Sequence, residues 1–317
     1  MKTLAMVMDP IAEVKTHKDT SFRLLLEAQA QGYQCYYIEM GDLLIDNGQP
    51  FALTRTVHVT DRSSDFYQLG EDEKRALGDF DVIMMRKDPP FDSEFLYATQ
   101  ILELAERDGA LVVNKPQSLR DCNEKLYTSW FAEFTTDTIV SANAEVLKAF
   151  HKQHQEVIMK PLDGMGGASI FKVGADGANL GVIIETLTQK GRRYAMAQKY
   201  LPAIKDGDKR ILIIDGEPMP YALARVPSAG ETRGNLAAGG SGRAQPLSDS
   251  DWAIANAIGP ELSRRGLLLV GLDVIGDKVT EINVTSPTCM REIEAAYDIN
   301  IAAKLFAAID KKLSQQH

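Results

Sequence analysis

The chain has 317 residues, 44% hydrophobic and 25% charged, a globular balance that excludes a disordered, collagen-like or coiled-coil protein and suggests about two domains. Its 35 basic and 44 acidic residues leave a net charge of −9, which argues against a general nucleic-acid binder. No apolar run approaches the roughly 20 residues of a membrane span.

The first eight residues imitate a secretory signal, but Asp9-Pro10 ends the apolar stretch too early, and Leu4–Met8 reads as a buried strand. Ser21–Ala30 has helical spacing and stops at Gly32; Tyr33–Met40 reads as a strand. Asp81–Met85 is a second buried-type strand, Phe95–Arg107 a helix, and Ala110–Val113 a strand again. This β-α-β alternation predicts a largely parallel sheet over 1–122, with ligands beyond the carboxyl ends of its strands, where Arg86 stands. Asp121 and Glu124 have capping-box spacing, so a helix carrying Lys125 is expected next. Thr138–Val140, Val157–Lys160, Ser169–Val173 and Tyr194–Leu201 read as strands, and Ala144–Phe150 and Asn179–Gln189, the latter with an Asn N-cap, as helices. Arg210–Ile214 and Pro220–Val226 flank an Asp-Gly hairpin turn. Residues 227–245 are too small and polar to fill a core and read as a long functional loop. Ser250–Arg265 is helical, Leu267–Val284 a second hairpin, and Ala302–Leu313 a closing helix. The expected units are 1–122, 123–201 and 202–317, with α/β character first and α+β character in the C-terminal half. The three cysteines, Cys35, Cys122 and Cys289, lack metal or disulfide spacing and read as buried free thiols of a cytoplasmic protein, and the histidines, His151 and His154 among them, as surface residues.

Two stretches carry chemistry. Lys160-Pro-Leu-Asp-Gly164-Met-Gly166-Gly167 ends a strand with a lysine and follows it with glycines that let backbone N–H groups approach an anion. It fits neither a Walker A loop nor a dinucleotide fingerprint, because a strand follows it; a flap over phosphates or a bulged hairpin both suit it. In Asp273…Glu281-Ile-Asn283 the residues Glu281 and Asn283 share one strand face, opposite Ile282 and Val284. That oxygen-bearing face suits Mg²⁺, which keeps substrate phosphates as further ligands. Asp273 joins it only if the connecting loop is odd-numbered, Gly276-Asp-Lys278; a two-residue turn would place it opposite Thr280.

In order, Lys125, the Lys160–Gly167 flap, the strand Gln198-Lys199-Tyr200-Leu201 and the Glu281-x-Asn283 pair resemble the ATP-grasp superfamily. Met85-Arg-Lys-Asp-Pro-Pro-Phe-Asp92, Asn114 to Lys125, Lys160 to Gly167, Glu231-Thr-Arg-Gly-Asn-Leu-Ala-Ala-Gly239-Gly240 and Glu281-Ile-Asn-Val-Thr-Ser-Pro-Thr288 are similar, over essentially the whole chain, to the bacterial glutathione synthetases. The resemblance implies an ATP-grasp fold behind an N-terminal parallel α/β domain. It implies joining of γ-glutamylcysteine to glycine with ATP through an acyl phosphate, Mg²⁺ or Mn²⁺ with two ions at the nucleotide, and a homotetramer. ATP would meet Lys125, Lys160, Gly164, Gly166, Gly167, Asp208 at the ribose, and Gln198 to Leu201 at the adenine, where the superfamily often begins with Glu. Asp273, Glu281 and Asn283 would hold the metal. Arg210 and Arg225 would stabilise the acyl phosphate and tetrahedral intermediate, Arg233 would close the lid, Arg86 would take a dipeptide carboxylate, and Ser286, Thr288, Gly239 and Gly240 would lie near substrate. Another ATP-grasp carboxylate–amine ligase, or a nucleotide-binding regulatory protein without ligase activity, are the alternative readings.

Overall fold

The computed structural model describes residues 1–231, 234, 236 and 239–316. Leu4 to Val7 are wholly buried in the first strand, β1 (Thr3–Val7). The Asp19 carboxylate accepts from Phe22 N at 2.7 Å and caps α1 (Thr20–Ala30). Gly32, at φ +81°, turns the chain into β2 (Gln34–Ile38), parallel to β1. Residues 43–76, to which the sequence pattern assigned no element, form an antiparallel ribbon of β3 (Leu43–Asp46), β4 (Gln49–Val59) and β5 (Tyr67–Ala76). The ribbon escaped detection because β5 is mostly exposed and runs Gly70-Glu-Asp-Glu-Lys-Arg75 without an apolar alternation. Then come β6 (Val82–Met85), α2 (Ser93–Arg107), β7 (Leu111–Val113) and α3 (Pro116–Asp121). The seven-stranded sheet runs β3-β4-β2-β1-β6-β7, with β5 on β4. Its β2-β1-β6-β7 centre is parallel as expected, and the ribbon makes the sheet mixed.

The expected helix from Asp121 is absent. Asp121 closes α3, and the Asn123 side chain accepts from Lys125 N and Leu126 N to launch a short 3₁₀ segment, Leu126–Phe134. A capping box needs the acidic side chain to turn back on its own helix, whereas Glu124 reaches across to Val284 and Thr285.

A second sheet follows from β8 (Thr138–Ser141), β9 (Val157–Pro161), β10 (Phe171–Val173) and β11 (Ala195–Lys199), in antiparallel order β10-β9-β11-β8. The helices α4 (Ala144–His154) and α5 (Leu180–Thr188) share a core with it around Leu147, Met159, Ile184 and Ala197. Asn179 precedes α5 but sits at φ +61° without a side-chain cap bond, and His151 is buried with Nε2 2.8 Å from Gly174 O rather than on the surface.

The third sheet has the order β14-β13-β12-β15-β16. β12 (Asp208–Ile214) and β13 (Glu217–Val226) meet at Asp215-Gly216, both at positive φ as a two-residue hairpin turn demands. The end of the expected loop is a strand, β14 (Ser241–Pro246): an exposed edge needs no large apolar residues, so its composition imitated a loop. After α6 (Asp249–Arg264), capped by Ser248 and Asp251, come β15 (Leu269–Ile275), β16 (Lys278–Asn283), α7 (Met290–Tyr297) and α8 (Ile301–Gln316). Leu305, Phe306 and Ile309 of α8 join Phe22 and Leu25 of α1 in one core, so the chain's last helix seals the first sheet.

Candidate active site

Glu281 and Asp273 are cross-strand partners, on one face as expected, but by a different device. Gly276-Asp277 is a two-residue turn between Ile275 and Lys278, and Val274 pairs Val279. The register then slips by one, leaving Thr280 as a bulge. The bulge supplies the odd residue that the loop was expected to supply. It also places the Thr280 carbonyl 3.1 Å from Lys160 Nζ. On the same face Asn283 donates Nδ2 to Gly271 O at 3.1 Å, which leaves Oδ1 as a ligand oxygen. Two side chains offering hard oxygen, with the Asp273 carboxylate beside them, fit a divalent cation of the Mg²⁺ class.

The two lysines arrive from the other lobe. Lys125, nearly fully buried, donates to Glu281 Oε1 at 2.8 Å and to Gly164 O at 2.6 Å. Burial opposes its charge, but Glu281 outweighs burial and raises its pKa. Among the described residues Lys160 has no carboxylate in hydrogen-bond range, and burial pushes it down to about 8 from the usual 10.5. Such a lysine gains charge when a phosphate arrives. Nucleotide binding at pH 8.5 is therefore expected to take up a proton, and affinity to fall as pH rises above about 8. Calorimetry of ADP binding in two buffers of different ionisation enthalpy measures this uptake, and Lys160→Met should remove it. Uptake unchanged in that variant would assign the proton elsewhere. For folding the sign is the usual one for a depressed base: charged Lys160 costs stability below pH 8, and the cost fades between pH 8 and 10.5.

Along the same sheet face runs a buried lattice of two arginines and two aspartates. Arg210 donates Nε to Asp273 Oδ1 at 2.6 Å and Nη2 to Oδ2 at 3.2 Å. Arg225 Nη2 bridges Asp273 Oδ2 at 2.8 Å and Asp208 Oδ2 at 2.6 Å. Burial pushes Asp208 up to about 6 despite Arg225. Burial works on Asp273 in the same direction, but there Arg210 and Arg225 together prevail and hold the carboxyl well below its usual range. Both Asp273 oxygens thus face guanidinium, which makes Glu281 and Asn283 the readier metal ligands.

These groups line one cleft of about 410 Å³. The flap glycines Gly164, Gly166 and Gly167 are on its wall, the last two at positive φ. Gln198, Lys199, Tyr200 and Leu201 form one end, where Lys172 Nζ lies 3.7 Å over the Tyr200 ring. Ser286 and Thr288 line it too, and Ser286 Oγ donates to Asp88. Three expected residues stand apart. Arg86 lies behind the wall, donating Nε to Ser21 Oγ at 3.1 Å and Nη2 to Pro287 O at 2.9 Å, with Nη1 buried and unpartnered among the described residues. Burial lowers its pKa to about 10. Gly239 and Gly240 form the entry to β14 rather than the cleft wall. Arg233 lies outside the described residues. The sequence pattern missed Lys15, Lys18, Asp88 and Glu124, all on the wall. Lys15 and Lys18 follow the carboxyl end of β1 as Arg86 follows β6, so the same topological rule points to them.

Two family models match: the N-terminal domain of prokaryotic glutathione synthetase over residues 1–120 and the ATP-grasp domain of the same family over 124–298. The chain is 61% identical to the glutathione synthetase of Salmonella typhi over 99% of its length and 100% of the relative's, and 60% identical to that of Escherichia coli (strain K12) over 100% of both. Among solved structures, the D-cycloserine synthetase DcsG superposes with a TM-score of 0.68 at 14% identity, covering 98% of this chain and 99% of that one. The ATP-grasp ligase PsnB, bound to a minimal precursor, gives 0.62 at 17%, covering 100% and 99%. At those identities the likeness is one of fold.

Proposed function

The chain belongs to the prokaryotic glutathione synthetase family, and from that premise we propose how its cleft does the family's work. The activity is an ATP-dependent ligation of γ-L-glutamyl-L-cysteine and glycine, giving glutathione, ADP and phosphate. A free carboxylate resists amide formation because its leaving group is poor. The cysteinyl carboxylate of the dipeptide would attack the γ-phosphorus of ATP, releasing ADP and leaving an acyl phosphate. The glycine amine then attacks that carbonyl, and phosphate departs from the tetrahedral intermediate.

One observation carries the site assignment: phosphate-type lysines of one lobe meet metal-type oxygens of the other, with Lys125 Nζ 2.8 Å from Glu281. Lys125 and Lys160 hold the phosphates under Gly164, Gly166 and Gly167. The strand end at Gln198 to Leu201 receives the adenine, and Asp208 the ribose. Glu281 and Asn283, with Asp273 beside them, hold Mg²⁺ or Mn²⁺, two ions with the nucleotide; the metal would neutralise charge on the transferring phosphoryl group. Arg210, oriented by its Nε and Nη2 bonds to Asp273, stabilises with Arg225 the acyl phosphate and the oxyanion that follows. Ser286 and Thr288 sit near the glycine, and Nη1 of Arg86, behind the cleft wall and unpartnered among the described residues, supports a dipeptide carboxylate at that end. Arg233, with Gly239 and Gly240, belongs to the segment that shields the acyl phosphate from water. The working units are 1–122 for the dipeptide, 123–201 for the nucleotide and 202–317 for the metal. The assembly is a cytoplasmic homotetramer by resemblance to the bacterial enzymes; among the described residues no helix is long and apolar enough to cross a membrane.

The test is phosphate release with ATP, Mg²⁺, γ-glutamylcysteine and glycine, leaving out one component at a time. Release should require both the dipeptide and glycine. Release without glycine at the full rate, or none in the complete mixture, would overturn the coupled mechanism.

A further inference from the structure

β16 closes one side of its sheet, so its outer edge has no strand partner among the described residues. An edge strand presents a row of N–H groups that need acceptors. Here the strand that carries Glu281 and Asn283 is met along its edge by Glu124, which follows α3. The Glu124 carbonyl accepts from Ile282 N at 2.8 Å. Its carboxylate Oε1 accepts from Val284 N at 2.8 Å, from Thr285 N at 2.9 Å and from Thr285 Oγ1 at 2.8 Å. The next residue, Lys125, donates to Glu281 itself. Glu124 and Lys125 are thus laid along the edge of β16 like a fragment of a further strand, although Glu124 and Val284 are 160 positions apart in sequence.

We propose that Glu124 is a positioning residue for the cation. By taking the free donors at the edge and end of β16, it fixes Glu281 and Asn283 relative to Lys125 and Lys160, which come from the other lobe. The inference rests on the ligase reading above, in that Glu281 and Asn283 hold the metal. The physical basis is general: groups that orient metal ligands set affinity nearly as strongly as the ligands do. A carboxylate acting only as a fold staple would change the melting temperature and leave the folded protein's affinities alone. A positioning residue changes metal-dependent affinity in protein that remains folded.

The experiment uses the full chain with Glu124→Ala and Glu124→Gln, at a temperature where circular dichroism shows both folded. Calorimetry measures ADP binding with Mg²⁺ and with chelator, and electron paramagnetic resonance measures Mn²⁺ binding in the presence of ADP. Glu124→Ala should weaken Mn²⁺ and Mg²⁺-ADP binding by about 10–100-fold, with little change in metal-free ADP binding. Glu124→Gln, whose amide oxygen still accepts, should recover most of that loss. If the alanine variant does not fold, Glu124→Asp, whose shorter side chain withdraws the acceptor, is measured in its place with the same expected pattern. Wild-type Mg²⁺-ADP affinity in folded Glu124→Ala or Glu124→Asp overturns the proposal, as does equal weakening of metal-free and metal-bound nucleotide. Ligation of the dipeptide to glycine by the unaltered chain, run alongside, tests the ligase reading by itself.

Discussion

Arg225→Leu is expected to lower stability by about 3–5 kcal/mol, the range seen when one member of a buried ionic group is removed, and to cut kcat by at least about 10²–10³-fold, as loss of a charge-stabilising donor does. The reason is the bridge that Arg225 Nη2 makes between Asp208 at 2.6 Å and Asp273 at 2.8 Å. Without it Asp273 keeps Arg210, but Asp208 becomes a buried carboxylate with no ion-paired cation among the described residues, near a second carboxylate and with only the more distant charge of Arg210 to offset burial. The pH dependence follows in sign. Asp208 is raised to about 6 in the folded protein against a usual 3.8, so its ionised form destabilises the fold above pH 6 and the penalty fades as pH falls from 6 towards 4. Asp273 is shifted the other way: its contribution is present above pH 3.8 and lost on acidification below that value. The Arg225→Leu deficit should therefore be smaller at pH 5 than at pH 8. Adding Asp208→Asn should restore much of the stability but none of the turnover. Urea denaturation of the single and double variants at both pH values measures this. A single variant as stable as wild type at pH 8 would refute the account of the lattice.

Glu281→Ala should produce the second large effect. It removes an expected metal ligand, worth several kcal/mol to phosphoryl transfer, or roughly a 10³-fold loss in kcat/KM. It also strips Lys125 of its hydrogen-bonded carboxylate, the strongest of the groups that offset burial of that ammonium, and leaves only the more distant charges of Glu124 and Asp273. The variant should bind Mn²⁺ poorly and be less stable than wild type. Combining it with Lys125→Met should return stability without activity, because the unpaired buried charge goes but the ligand does not come back. Mn²⁺ resonance, steady-state kinetics and thermal melts of the single and double variants decide the matter. Wild-type Mn²⁺ affinity in Glu281→Ala would remove Glu281 from the metal set.

Local chemistry is legible in the amino-acid sequence. Buried strands such as β1 and β6 appear as short apolar runs, the Asp215-Gly216 turn as a dipeptide suited to positive φ, and the oxygen face of β16 as a period of two. Each of these is decided by neighbours in sequence. The β3–β5 ribbon and β14 were not readable, because polar, exposed strands are held by backbone pairing that leaves no hydrophobic signature. The candidate site divides along the same line. Residue types and spacing singled out Lys160, Glu281 and Asn283, yet neither the Thr280 bulge nor the path of Lys125 to Glu281 could be read from spacing.

Those features belong to the folded chain. A one-residue bulge depends on cross-strand pairing and on the carbonyl that Lys160 meets, not on the turn residues. The same capping-box spacing that suggests a helix at Asp121 would serve one, had Glu124 no better acceptor role 160 residues away. Arg86 is marked by standing at a strand end, but only packing turns its guanidinium towards Ser21 and Pro287. Short-range preferences choose an element and its faces. Which buried donor meets which acceptor is settled when distant segments share a low-dielectric interior, where a polar group left unpaired is costly enough to select the partner.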